Sequence, residues 1–388
     1  MRVNSLVANL ATPPVPEVQR WAKAYDGDLG PVIDLSQAVP GYPPHPDLLA
    51  WLAEAAGSAA CAGYGPIEGE APLRHAYASH QAELFGADLA AANVHITSGC
   101  NQAFVTAAMT VAGAGDSLLL TNPCYFNHET TLAMLGIGVR YVSCTAANGF
   151  LPEPEAVAAA IGDDIRALAL VSPNNPTGAV YPPDLLSELF DLCDRRGIWL
   201  ILDETYRDFL LPGEGPPHGL FSRRGWENTF ISLYSFSKSF CIPGHRLGAV
   251  TAGEGIVGHV AGIMDNLQIC APRAPQVAVT RGLPALTGWR EANRREIAAR
   301  ADVLRDVMAA APGWRLDAVG AYFAFARHPF SGKDSREVAE ALARKAGVLT
   351  IPGGFFGAGQ DDYLRIAFAN ADADGLHRFA DRLTRFSL

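Results

Sequence analysis

The sequence predicts an α/β fold: a large domain on a mostly parallel sheet of seven strands, followed by a small α+β domain. Three observations predict it. From Val94 onward, short apolar runs alternate with helical segments, the pattern of a sheet covered on both faces. One long amphipathic segment, Trp289–Ala311, carries Arg and Glu on one side and Ile, Leu and Val on the other, so it reads as a helix joining two bodies. After it the order becomes strand, loop, helix, strand, helix. With 388 residues, 49% of them hydrophobic, the chain is long enough to bury a core in each body.

In chain order, residues 1–31 read as an arm with a short helix over Glu17–Tyr25. A short strand, I-D-L-S, then runs into the Pro/Gly-rich turn Q-A-V-P-G-Y-P-P-H-P, where proline fixes the backbone and stops regular structure. Asp47–Ala56 reads as a helix with Asp47 as its cap. The loop Tyr64-Gly65-Pro66-Ile67-Glu68-Gly69 feeds a helix over Ala71–Phe85. The seven strand candidates are Val94–Thr97, Ser117–Thr121, Val139–Ser143, Ala167–Val171, Trp199–Asp203, Thr229–Leu233 and Ala249–Ala252. Helices fit Cys100–Val111, Tyr125–Met134, Glu153–Ile161 and Pro183–Arg195 between them and Ile256–Asn266 after the last. The last part reads as Ala321–Ala326, Ser335–Ala346, Val348–Thr350, Tyr363–Ala369 and Ala371–Phe386. The expected division is 1–45 (arm and part of the small domain), 46–288 (large domain) and 289–388 (small domain).

Bulk composition narrows the function classes. A net charge of −10 argues against a nucleic-acid backbone as partner, because such binding rests on clustered cations. No apolar run reaches membrane-spanning length, and the N-terminus lacks the long apolar core of a signal peptide. Seven cysteines, an odd number without C-x-x-C pairs, read as free thiols of a reducing, cytoplasmic setting. The ten histidines show no H-E-x-x-H spacing, so no metal is expected.

Open α/β sheets bind ligands at the carboxyl ends of their strands, so chemistry is sought in the residues just past each strand. Ser98-Gly99-Cys100-Asn101 leads into a helix, where backbone amides favour a phosphate, although a glycine before a helix is often only a turn. Tyr125 could stack on a planar ring, with His128 three residues on, or be a core aromatic. Ser172-Pro173-Asn174-Asn175-Pro176-Thr177-Gly178 is a locked loop able to hold the Asn175 amide rigidly. Asp203 ends the apolar run I-W-L-I-L-D and needs a cationic partner, either a ligand or a structural salt bridge, and Tyr206 lies three residues beyond it. Ser235, Ser237, Lys238 and Arg246 come after the sixth strand. The chain has four lysines, and only Lys238 sits where a strand delivers it. A lone loop lysine is usually solvated, whereas one held among apolar neighbours becomes a nucleophile toward carbonyls. Together these groups are what pyridoxal phosphate (PLP) needs: a phosphate cradle, a stacking ring, a buried carboxylate, a fixed amide and a reactive amine.

The strings S-P-N-N-P-T-G, L-D-E-x-Y and S-x-S-K, with an arginine eight residues after Lys238, resemble in order those of the class I/II aminotransferase family of fold-type I PLP enzymes, over nearly the whole chain. The resemblance implies a PLP-dependent transferase of fold type I with a mixed seven-stranded sheet. It implies that Lys238 carries the cofactor as an aldimine and shuttles the substrate proton, that Asp203 pairs with the ring nitrogen supported by His128, and that Asn175 and Tyr206 meet the phenolic oxygen. Tyr125 would stack on the ring. Gly99, Cys100, Asn101, Ser235, Ser237 and Arg246 would surround the phosphate, and Tyr64 would serve the phosphate of a neighbouring subunit in a homodimer. In Y-L-R-I-A-F-A-N, Arg365 matches the ligand of the substrate α-carboxylate. Asn175 and the loop with Ala38 and Val39 would also touch substrate; the family commonly has glycine where Ala38 stands. Gly354-Phe355-Phe356-Gly357 and Tyr322 lie where the family lines its site. The implied reaction is ping-pong transfer of an amino group from an L-amino acid to a 2-oxo acid. A β-eliminating C–S lyase or an amino-acid oxidase is the alternative on the same residues. Leu267 stands where dicarboxylate-specific members place an arginine, with Arg273 near enough to substitute.

Overall fold

The structure is a computed structural model, and it describes residues 2–210 and 216–388. Its strands, in chain order, are β1 (Ile33–Asp34), β2 (Val94–Thr97), β3 (Ser117–Asn122), β4 (Gly138–Ser143), β5 (Ile165–Val171), β6 (Trp199–Asp203), β7 (Phe230–Ser235), β8 (Gly248–Thr251), β9 (Arg315–Gly320), β10 (Phe323–Arg327), β11 (Val348–Leu349), β12 (Ile351–Pro352) and β13 (Tyr363–Ile366). Strands β2 to β8 form one seven-stranded sheet in the order β2-β8-β7-β6-β5-β3-β4. Only β8 runs against its neighbours, pairing antiparallel with both β2 and β7. Parallel pairing puts the ends of β5, β6 and β7 in one row, with Val171 opposite Asp203 and Asp203 opposite Leu233.

Side-chain alternation explains why these runs are nearly all apolar. Leu118, Leu120, Ala167, Ala169 and Ile201 face one core with the helix Cys100–Val111. Leu119, Leu168, Leu170, Leu200 and Leu202 face another with the helix Pro183–Arg196. Both faces are covered, so both parities must be hydrophobic.

Strands β12-β13-β10-β9 make a four-stranded antiparallel sheet, and β1 pairs parallel with β11. The helix Thr287–Ala309 packs on this sheet through Ile297, Ala301, Leu304 and Met308. Tyr206 and Phe209, just past β6 of the large sheet, join the same core beside Tyr322 and Phe323. The two sheets therefore share apolar packing directly beside the ends of the central strands.

Local differences from the sequence reading have simple causes. The helix expected over Asp47–Ala56 starts at Pro46, and its cap is His45, whose Nδ1 accepts from the Asp47 N–H; Asp47 lies inside the first turn and is not the cap. Proline suits that first turn because its missing N–H has no helical partner there. The helix Arg273–Ala285 is not expected from sequence, because Pro275 and Pro284 read as breakers; both fall near its ends. Strand β9 is not expected either, because its residues are only half-buried and carry no apolar run. The segment Ser335–Ala346 is one α-helix to Ala341 and then a wider π turn over Leu342–Ala346.

Candidate active site

The row of strand ends brings most of the singled-out residues together. Asp203, the last residue of β6, is 4% exposed. Its Oδ2 lies 3.4 Å from His128 Nε2, and its Oδ1 accepts the Thr205 N–H at 2.9 Å. Burial pushes the Asp203 carboxyl up, but the hydrogen bond and charge of His128 and the Thr205 N–H outweigh it, so the net direction is downward and Asp203 stays ionised. His128 is fixed by stacking on Phe104 at 3.8 Å, with Tyr125 edge-on at 5.3 Å. Tyr125 is half-buried, and its hydroxyl accepts from Asn127 Nδ2 at 2.7 Å.

Lys238 lies on the one-turn helix Phe236–Ser239 directly after β7. Burial, and after it the charges of Arg246 and Arg365, lower its ammonium to about 8, with Asp203 acting the other way. Its Nζ donates to the Ala38 carbonyl of the arm loop. Val39 continues that loop, its N–H bonded to the Gln37 carbonyl. Ser235 and Ser237 precede the lysine, both buried, and the Ser237 hydroxyl has no partner.

Gly99 sits at φ +87°, and a Cβ there would overlap the guanidinium of Arg246. Arg246 in turn donates to the Ser98 carbonyl at 3.2 Å. A glycine is required at this close approach, and the backbone N–H groups of Cys100 and Asn101 open the helix Cys100–Val111 beside it. Burial drives the Cys100 thiol well up, so it is neutral.

Arg365, on β13, is 2% exposed. Nη1 donates to Asn175 Oδ1 at 3.1 Å and Nη2 to the Ser36 carbonyl, while Nε is buried without a partner. Burial lowers its pKa to about 10 against the opposing influence of Tyr206, Tyr125 and Asp34. Phe323 and Phe356 lie under the guanidinium at 4.9 and 5.3 Å. The Asn175 loop is pressed onto the small sheet: a Cβ on Gly178 (φ +80°) would overlap the Phe323 carbonyl and the Gly320 backbone. Tyr206 is 5% exposed, and burial holds its phenol protonated.

Tyr64 stands apart. It is 79% exposed, and among the described residues no hydrogen bond, ion pair or ring pair joins its side chain to the others. Arg273 lies beside it rather than beside Lys238, donating to Glu70 and to the carbonyls of Ala60 and Gly63. Leu267 is half exposed. Sequence reasoning missed Thr205, Phe104 and Ser36. Thr205 was legible inside L-D-E-T-Y, and its buried Oγ1 is unpartnered; Phe104 and Ser36 carry no sequence signal for their contacts.

The donor set fits PLP. Unpartnered buried atoms (Ser237 Oγ, Thr205 Oγ1, Arg365 Nε), the Gly99 cradle, an anionic Asp203 and a lysine of lowered pKa lie along one row of strand ends.

Comparison with known proteins agrees with this geometry. The family described as aminotransferase class I and II matches residues 30–383. An aromatic aminotransferase, ISS1, of Arabidopsis thaliana is 27% identical over 91% of this chain and 89% of its own. The arginine–pyruvate transaminase AruH of Pseudomonas aeruginosa is 30% identical over 78% of this chain and 77% of its own. The solved aspartate aminotransferase of Thermus thermophilus with maleate superposes with a TM-score of 0.90, covering 99% of this chain and 100% of its own at 24% identity.

Proposed function

Because the chain belongs to the class I and II aminotransferase family and is an aminotransferase, we propose that it moves the amino group of an L-amino acid to a 2-oxo acid in two ping-pong half-reactions, with PLP at the strand-end row and Lys238 as the acting amine. The observation that carries this reading is a lysine lowered to about 8 on the turn after β7, with an ionised Asp203 ending the neighbouring β6. Residues 46–288 are assigned to the cofactor domain, 289–388 to the small domain and 1–45 to the arm and part of the small domain.

PLP supplies a carbonyl carbon that takes up the amino group and a protonated ring that spreads the charge left at Cα. The amides of Cys100 and Asn101 beside Gly99, the hydroxyls of Ser235 and Ser237 and the Arg246 guanidinium would hold its phosphate. Asp203, kept anionic by His128, would hold a proton on the ring nitrogen. Asn175 and Tyr206 would hydrogen-bond the phenolic oxygen, and Tyr125 would cover a ring face. Arg365 would take the substrate α-carboxylate with Nε and the donor that otherwise holds Ser36. Ala38, Val39 and Asn175 would border the substrate. Lys238, a substantial fraction of it neutral near pH 8, would act as the base that moves the substrate Cα proton.

The donor we propose lacks a side-chain carboxylate. Leu267 offers no charge, and Arg273 has both Nε and Nη1 committed within its own chain. The acting form is a homodimer in the cytoplasm, with Tyr64 reaching the partner's phosphate. In support of the compartment, all seven cysteines are free, and no described helix is long and apolar enough to cross a membrane.

The test is to supply PLP-loaded protein with single L-amino acids, with and without a 2-oxo acid. One new amino acid should form for each oxo acid consumed. Ammonia with pyruvate, or peroxide, in the absence of an acceptor would instead place the chemistry with C–S lyases or oxidases.

A further inference from the structure

The loop that carries Tyr64 is exposed, yet it is tied down on both sides of that residue. Before Tyr64, the Arg273 guanidinium bridges two backbone carbonyls with Nη1, those of Ala60 and Gly63 (the latter at 3.3 Å). After it, the Gly65 N–H donates to Cys270 Sγ at 3.3 Å. Gly65 passes so close that a Cβ there would lie 3.0 Å from Arg273 Nε. The guanidinium is itself held by Glu70 through Nε, in a pair only 21% and 17% exposed. The Glu70 N–H is taken by Gln276 Oε1 at 2.7 Å, one helical turn along from Arg273. With Nε on Glu70 and both Nη1 protons on carbonyls, Arg273 has no free two-donor edge for a substrate carboxylate.

Such a clamp has no use for Tyr64 within its own chain, where the ring is 79% exposed. It does have a use if the loop must enter another molecule's site. Ordering a flexible backbone costs conformational entropy, so a six-residue loop that froze only on association would weaken what it binds. We propose that Arg273 is a positioning residue that acts in trans: it holds the Ala60–Gly65 loop in shape so that Tyr64 is delivered ready-formed to the cofactor phosphate of a second copy of the chain. The proposal rests on the reading of Tyr64 as a ligand of the partner's phosphate.

The test reads PLP affinity of the apo dimer by absorbance titration, not turnover. Tyr64→Phe should weaken PLP by about tenfold, the worth of one hydrogen bond to a charged group. Arg273→Ala should weaken it to a similar degree while the dimer and its melting temperature persist. The double variant should lie within about twofold of Tyr64→Phe alone, since the two residues act through one contact. Should Arg273→Ala not fold, Glu70→Gln, which loosens the same guanidinium, gives the same direction with a smaller change.

Hybrid dimers separate a trans role from general damage. Mixing Arg273→Ala chains with Lys238→Ala chains gives one site that has Lys238 and faces an intact Tyr64 loop. PLP affinity there should return to the wild-type value. Affinity that stays as weak as in the Arg273→Ala homodimer, or losses from Tyr64→Phe and Arg273→Ala that multiply, overturns the clamp alone. An unchanged affinity in Tyr64→Phe overturns the reading of Tyr64, and the proposal with it.

Discussion

Lys238 is one of four lysines among 30 cationic residues, and its surroundings set its charge. Burial and two guanidinium neighbours both disfavour the ammonium, which places it at about 8 against an ordinary lysine near 10.5. Only the neutral amine attacks a carbonyl, so the rate of PLP uptake by the apo protein should rise with pH and level off above about pH 8. A stopped-flow pH series checks this; a rate still climbing tenfold per pH unit above pH 9 would contradict it. Lys238→Ala should lower kcat by at least about 10²–10⁴-fold, the range of a lost general base. Asp203 works in the opposite sense. Burial opposes its charge, and His128 and Thr205 restore it. Asp203→Asn keeps the shape and removes the charge, so kcat should fall by about 10²–10³-fold with PLP still bound, a split visible by measuring absorbance and turnover on the same sample.

At the scale of elements, two glycines carry close approaches that no other residue allows. Gly99→Ala would drive a methyl into the Arg246 guanidinium at an already left-handed φ, and PLP affinity should drop by about tenfold or more. Gly178→Ala would press on backbone atoms of Phe323 and Gly320, which cannot swing away as a side chain can, so the loss should appear as about 1–3 kcal/mol of stability in a denaturant titration. The strand ends were legible in the sequence because a fully buried strand leaves an uninterrupted apolar run, and the first polar residue after it marks its carboxyl end. Asp203 after W-L-I-L is such a case. The helix Arg273–Ala285 was illegible because a proline in a first or last turn reads the same in sequence as a proline that breaks a helix. With that helix went the clamp on the Tyr64 loop, whose partners lie more than 200 positions apart in the chain.

At the scale of the whole molecule, Arg365 ties three parts together. It sits on the small sheet, reaches Asn175 at the end of the large sheet, and holds Ser36 of the arm, 329 positions away. The arm is further stitched there by Asn370 to the Asp34 carbonyl at 2.8 Å and by the Gly41 N–H to the Ala369 carbonyl at 2.9 Å. Sequence placed Arg365 by its motif but could not place Ser36 against it, since a backbone carbonyl leaves no mark in the residue types. Arg365→Ala should raise KM for the amino donor by about 10²-fold or more, the worth of a charge-assisted pair, with PLP retained. An unchanged KM in steady-state assays would assign the carboxylate to another group.

The Ser36 carbonyl at Arg365 also sets a rule for what can compete there. A ligand arriving at this guanidinium meets one vacant donor, Nε, and one that the chain already satisfies through its own main chain. At that second donor an uncharged oxygen only trades one neutral acceptor for another, whereas a carboxylate spans both donors and brings a full charge to a buried cation. Free amino acids should be accepted, and their amides and methyl esters refused, even where the side chain is identical.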